Sequence, residues 1–455
     1  MGRALKRNTS DSNKDIVKQL IRLSIPTMIE EILVTVLQYV DVAMVGHLGE
    51  AATAAVSTTT TIGWLIGGVI HAFGIAILAL MSRSIGEKNG ERVEKLSRQA
   101  VLLVVVCAVI FGTASLILSP FIPVWMGADE RIRAEASEYF FIISLPMLFR
   151  AAELIFASSI RATLDTRRPM IVGLLSGLLN VPLDYLFIYV FGWGVRGAAY
   201  ATAICYVVGG SLMFLIFIGK EEFNFSLGFP SPDRNLLSEI GKIAIPAMAT
   251  HATSCLGYVV FAGLVSGMGT TIFAAHSIAV NAETIVYIPG YGISSATSAM
   301  IGISLGEKNE RKFRTVSRSS VFMTLGIMCI NGVLLYLFAF PIMSVFSNSG
   351  NVVELGGQML RMVAFSEPFF GLMICMQGIF YGMGCTKNVF YVEAFSMWCV
   401  RVLFTFLVVR VWNLGLREVW FCMIADNITK AVLLTVSMII EMRGRMNSAE
   451  TAASG

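Results

Sequence analysis

Four polar residues in a largely apolar chain have the types and spacing to hold a small cation or a proton. Asp41 stands inside YVDVAMVGHLG, with apolar residues on both sides. A second carboxylate, Asp184, and an amide, Asn180, occur four residues apart in LLNVPLDYLF, which places them on one face of a helix. Pro182 between them removes a backbone donor and loosens the helix locally. Thr202 adds a hydroxyl further along the chain. Two carboxylates, an amide and a hydroxyl form an all-oxygen set suited to a hard cation such as Na⁺. A close pair of carboxylates can instead hold one proton between them.

The elements that must carry these groups are membrane helices. The 455 residues are 56% hydrophobic and 14% charged, and the mean hydropathy is +0.73. An average soluble domain is about 25% charged, so most of this surface faces lipid. The sequence predicts twelve spans, with cores at 24–46, 53–82, 99–119, 136–158, 169–191, 198–219, 239–266, 271–303, 319–341, 355–382, 389–409 and 418–440. The basic N-terminal stretch is followed by an apolar run too long for a signal peptide. Connections on one side carry 25 Lys and Arg, those on the other 5. The positive-inside rule then puts both termini in the cytoplasm, with the protein in the plasma (inner) membrane. The small net charge of +4 gives no nucleic-acid signal. Four scattered histidines and eight cysteines without a CxxC predict neither a zinc site nor a disulfide framework. With no Walker or dinucleotide motif either, no cofactor and no enzymatic activity are expected.

The chain is also two copies of one unit. IPTM at 25–28 recurs as IPAM at 245–248, GEKN at 86–89 as GEKN at 306–309, and Ser97-Arg98 as Ser317-Arg318, all offset by 220. The predicted fold is an all-α polytopic membrane protein of two pseudo-symmetric six-helix bundles. An N-lobe at 1–219 and a C-lobe at 237–455 are joined by a polar linker at 220–236. Parallel repeats of this kind suit a transporter whose halves rock for alternating access. Adding 220 to Asp41, Asn180, Asp184 and Thr202 gives Phe261, Val400, Phe404 and Cys422, so the second copy is expected to lack these oxygens. Tyr139, Glu31, His251 and Glu283 are candidate cavity residues. Arg150 with Glu153 reads as a structural i, i+3 pair, and Glu393 with Arg401 as part of a structural ion-pair network.

The VDVAMVGHLG segment, the two GEKN loops, RATLDT and YGMGCT after the fourth and tenth spans, and the doubled six-span layout resemble the multidrug and toxic compound extrusion (MATE) family over about residues 15–440. The resemblance implies a central cavity. It also implies export of organic cations, drugs or amphipathic compounds in exchange for H⁺ or Na⁺. A monomer in the lipid bilayer is expected. Asp41, Asn180, Asp184 and Thr202 match the coupling-ion cluster of the DinF-like branch. A NorM-like site instead has a glutamate in span seven and an aspartate in span ten. Here span seven offers His251, and the region near Phe370 has no aspartate. A lipid-linked oligosaccharide flippase of the same superfamily is the alternative. It calls for several inward-facing basic residues, where the spans supply Arg150, Arg361, Arg401 and Lys430.

Overall fold

The computed structural model describes residues 12–224 and 231–454, with side chains to residue 443. The start of the chain and the middle of the predicted linker, 225–230, lie outside the described residues. The spans are Asn13–Gly46, Glu50–Gly86, Gly90–Leu118, Glu130–Ser144 with Met147–Ala162, Arg167–Val190, Val195–Ile218, Arg234–Ser266, Thr270–Gly306, Glu310–Phe346, Gly350–Met383, Thr386–Val411 and Leu416–Arg443. Among the described residues, ten helices are long and apolar enough to cross a bilayer, or eleven when the two parts of the fourth span count as one. The first helix, 34 residues long, carries Glu30, Glu31 and Asp41 and completes the twelve. The fourth span bends by 54° at Leu145 and Pro146, where proline removes a backbone donor and crowds the preceding turn.

By packing, the described residues fall into two compact units. One holds the chain through Met28 with Ala252–Ile301 and the chain from Asn309 onward. Its apolar core gathers Phe261, Val265, Leu335, Met343, Leu360 and Trp420. The other holds Ile29–His251 with Gly302–Lys308. There Val45, Ala52, Tyr139, Phe140, Ile188 and Val195 pack together. Large apolar side chains such as Val345, Phe322 and Phe365 are at least 73% exposed, as lipid-facing positions should be.

The repeated GEKN has a local cause. Lys88 and Lys308 adopt the left-handed region at φ 55° and 52°. The following Asn89 and Asn309 cap the next helix, accepting from the backbone N–H of Arg92 and Lys312 at 3.0 and 2.9 Å. A left-handed residue reverses the chain, and the asparagine then satisfies a helix-start donor.

Close helix contacts position the polar residues of the second unit. At Gly197 the sixth span touches the backbone of Phe187 in the fifth, and at Gly210 it touches the backbone of Phe149 in the fourth. A Cβ at Gly210 would overlap that backbone, which cannot rotate away as a side chain can. Gly210→Val is therefore expected to destabilise the protein by about 1–3 kcal/mol, seen as a lower melting temperature in detergent. An unchanged melting temperature would refute this close approach.

Candidate functional site

Asp184 is the last residue of the α-helical part of the fifth span, just before a π-helical turn over Tyr185–Val190. It is fully buried. Asp41 of the first span faces it within hydrogen-bonding range. Tyr189, inside the π-turn, donates to the Met44 carbonyl at 2.7 Å and pins the fifth span to the end of the first. Neither Oδ1 of Asp41 nor either oxygen of Asp184 receives a donor from the described residues. The contact between the carboxyl groups becomes a hydrogen bond only when one of them carries a proton. Otherwise the facing oxygens are free to ligate a cation.

Asn180 lies one turn before Asp184, with its amide in range of the Cys205 thiol on the sixth span. Cys205 in turn lies near both aspartates. Thr202 stands one turn before Cys205 and Tyr206, half-buried. Tyr139 is 8% exposed and lies near both carboxyl groups. Sequence reasoning missed Cys205, because a thiol in an apolar helix reads as filler. Its spacing of three residues from Thr202 was the available signal.

Glu31 and His251 do not join this pair. Glu31 precedes Asp41 by ten residues on one helix, roughly 15 Å along its axis. It neighbours Glu30 and Arg161. His251 packs against Gly68 of the second span and meets the His71 ring edge-on, with centroids 6.2 Å apart. Arg161, which the charge count assigns to a basic loop, lies instead within the fourth span and pairs with Glu30 at 2.6 Å, both largely buried. Arg150 does not pair with Glu153. Its guanidinium donates to the Gly63 carbonyl at 2.8 Å and lies over the Tyr206 ring.

The other unit holds two kinds of buried acid. Asp426 binds Arg401 at 2.8 Å and Lys430 at 3.1 Å, and Lys430 binds Glu393 at 2.7 Å. Ser396 donates to Asp426 and Ser254 to Glu393. Arg401 and Glu393 thus share one network through Asp426 and Lys430. Glu283 and Glu367, from the eighth and tenth spans, lie near each other, Glu283 also near Arg401. Both are buried, and neither oxygen of Glu367 has a donor. Tyr287 lies near both. Sequence reasoning did not pair them, although Glu367 stands one turn before Phe370.

The structure corrects the expected counterparts in the second copy. Phe404 is 46% exposed, whereas Asp184 is fully buried; the neighbouring Thr405 is 0% exposed. Arg401, next to Val400, is buried likewise. The eleventh span contains a π-helical segment, Ser396–Val402, absent from the equivalent stretch of the fifth. A π-turn spends an extra residue per turn, so the register slips by one. The buried residues here are Arg401 and Thr405, each one position beyond Val400 and Phe404, so a hydroxyl lies beside a position where no oxygen was expected. Phe261, Cys422 and Met423, the residue that the slip sets against Thr202, all lie in the apolar core.

A family model described as MatE matches residues 26–186 and 246–407, the second stretch longer by one residue. The chain is 27% identical to the probable multidrug resistance protein NorM of Thermotoga maritima, covering 92% of this chain and 91% of that one. It is 24% identical to the probable NorM of Photorhabdus laumondii, covering 96% and 98%. Identity to the probable multidrug resistance protein YpnP of Bacillus subtilis is 25%, covering 86% and 88%. A MATE crystal structure in complex with MaL6 superposes with a TM-score of 0.89 at 23% identity, covering 94% and 97%. A MOP superfamily transporter from Pyrococcus furiosus, described by the reverse polarity of its binding pocket, also gives 0.89 at 23% identity, covering 96% and 99%.

The two buried aspartates should respond oppositely to neutralisation. Asp426→Asn leaves Arg401 and Lys430 short of a counter-charge and is expected to cost about 3–5 kcal/mol. Asp184→Asn removes a carboxyl group that no protein donor stabilises and should leave the melting temperature in detergent unchanged or higher. Equal destabilisation by both would contradict the geometry.

Proposed function

Because the chain belongs to the MatE family, we propose that it is a secondary antiporter exporting organic cations, drugs or other amphipathic compounds in exchange for H⁺ or Na⁺, with the Asp41–Asp184 pair as its coupling site. The observation that carries this reading is three buried carboxyl oxygens, on two spans, that no protein donor satisfies. Charged and empty, the pair is costly at bilayer depth; occupied by a cation or neutralised by a proton, it is not. An ion therefore favours whichever packing encloses the pair more fully, and only such a difference in affinity lets it shift the equilibrium. Pro182 and the π-turn after Asp184 supply backbone able to repack. Substrate leaves outside as the ion enters. In this reading the protein works as a monomer in the plasma membrane with its termini in the cytoplasm. Its coupling site is DinF-like, and it takes drug-like substrates as the names of its relatives suggest.

A second reading places coupling at Glu283 and Glu367. The unpartnered oxygens of Glu367 near Glu283 support it, as does the NorM name of several relatives. The flippase alternative draws less support. Arg401 and Lys430 are held by acids, Arg150 by a carbonyl, and Arg361 is exposed over Tyr336 and Phe340.

The test is uptake of a fluorescent organic cation into proteoliposomes under a Na⁺ gradient alone and a pH gradient alone. Asp41→Asn should abolish driven uptake while folding normally, and Glu367→Gln should retain it. The opposite pattern moves the coupling site to Glu283 and Glu367. Wild-type uptake in both variants sinks both readings.

A further inference from the structure

A second polar cluster of the Ile29–His251 unit is not used by the coupling pair. Its centre is the buried Glu30–Arg161 ion pair at 2.6 Å. That pair is incompletely satisfied: Oε2 of Glu30 and Nε of Arg161 are buried without partners. Glu31 from the first span and Glu153 from the fourth lie near the same guanidinium. His71 from the second span also lies near Arg161, with His251 of the seventh edge-on beside it. Glu31 and His251 occupy equivalent places in the two sequence repeats, since 31 and 251 differ by 220. Arg150 also lies near Glu153, but its own donors go to Gly63. Of the remaining spans packed here, the third and fifth carry no charged residue over 99–119 and 169–183, and the sixth brings Tyr206 beneath Arg150.

The placement is directional. The Asp41–Asp184 pair lies toward the ends of the first and fifth spans that are remote from the basic loops. Arg161 lies at the other end, one residue before its helix runs into a basic loop. Glu31, Glu153, His71 and His251 are all only partly buried, whereas Asp184 is fully buried. Two carboxyl groups and two imidazoles around a fixed guanidinium differ from an alkali-cation site. An imidazole takes up a proton and offers no oxygen to Na⁺.

We infer that Glu31, Glu153, His71 and His251, arranged around the Glu30–Arg161 ion pair, form a second proton-binding station on the basic-loop side of the Asp41–Asp184 pair. This rests on the antiport reading above and deepens it by naming H⁺ as the coupling ion. A proton held between Asp41 and Asp184 passes to Glu153 or Glu31 through a chain of water molecules spanning the roughly 15 Å between the clusters, and from there to an imidazole and to water on the basic-loop side. Each transfer returns its donor to the unprotonated form, and the aspartate pair is reset as a bare carboxylate pair. Arg161 holds the carboxyl groups in place and stabilises them once they have lost the proton.

The test uses the full chain in proteoliposomes with ethidium as probe. The pH on the basic-loop side is varied while the other side is held fixed. Wild type should be driven by a pH gradient and not by a Na⁺ gradient alone. Glu31→Gln with Glu153→Gln, and separately His71→Gln with His251→Gln, should slow driven uptake by roughly tenfold to a hundredfold and flatten its dependence on basic-loop-side pH. Ethidium binding in detergent, measured on the single variants Glu153→Gln and His71→Gln, should stay unchanged. These substitutions keep Glu30 and Arg161 paired. Where a double variant fails to insert, the single variants Glu31→Gln and Glu153→Gln are measured the same way, and Glu153→Asp should restore the pH profile. A wild-type pH profile in the Gln variants, or uptake driven by Na⁺ alone, overturns the station. Asp41→Asn, run in parallel, separates the two ideas. If it transports normally, the Asp41–Asp184 coupling reading fails, and the station with it. If it is inactive while the Gln variants behave as wild type, only the station fails.

Discussion

A carboxyl group inside a helix bundle in lipid must be paired, protonated or ligated, because an isolated charge there is too costly to keep. This chain places several such groups in its spans. Asp426 and Glu393 are tied to Arg401, Lys430 and two serines at distances from 2.6 to 3.1 Å. Glu30 has Arg161 on one oxygen, its Oε2 left without a partner. Asp41, Asp184 and Glu367 have no ion-pair partner among the described residues and keep oxygens that no described donor satisfies. A fully paired acid has no reason to change state. An unsatisfied one responds to whatever small cation or proton reaches it, and the proposed function follows from that division.

The two repeats show how such a division arises from one ancestral plan. Their GEKN turns fold alike, down to the left-handed lysine and the capping asparagine. At the level of the aspartate pair they differ. The first copy sets Asp41 against Asp184. The second sets Phe261 and Cys422 in an apolar core and gives the adjoining level to Arg401 and Thr405. Arg401 lies over the rings of Tyr258 and Phe261 as well as binding Asp426, so aromatic packing and ion pairing jointly hold a charge that lipid would reject.

Much of the candidate site was legible in the sequence. Asp41 was conspicuous because its neighbours are apolar, and Asn180 with Asp184 because four residues make one helical turn. Their meeting across spans was an expectation, and the geometry brings Asp41, Asp184 and Asn180 together with Tyr139. Glu31 and His251 stood out as polar residues in apolar spans, as candidates for a cavity, and lie in a different cluster around Arg161 and His71. The pairing of Glu283 with Glu367 and the role of Cys205 carried no pattern that a linear reading weighs.

The sequence by itself determined the membrane class and the twofold repeat. Both rest on one-dimensional quantities, the hydropathy of a window and the identity of residues at a fixed offset. Tertiary structure decided which acids are paired and which are left open. A helix that is apolar almost all round has no strong polar face to announce its rotation, so partner choice depends on how neighbouring spans turn toward each other. It also decided that Arg161 is a buried counter-ion rather than a loop charge, since the fourth span runs through Ala162. The one-residue slip in the eleventh span likewise appeared only there, because a π-turn absorbs an extra residue without leaving a mark in composition.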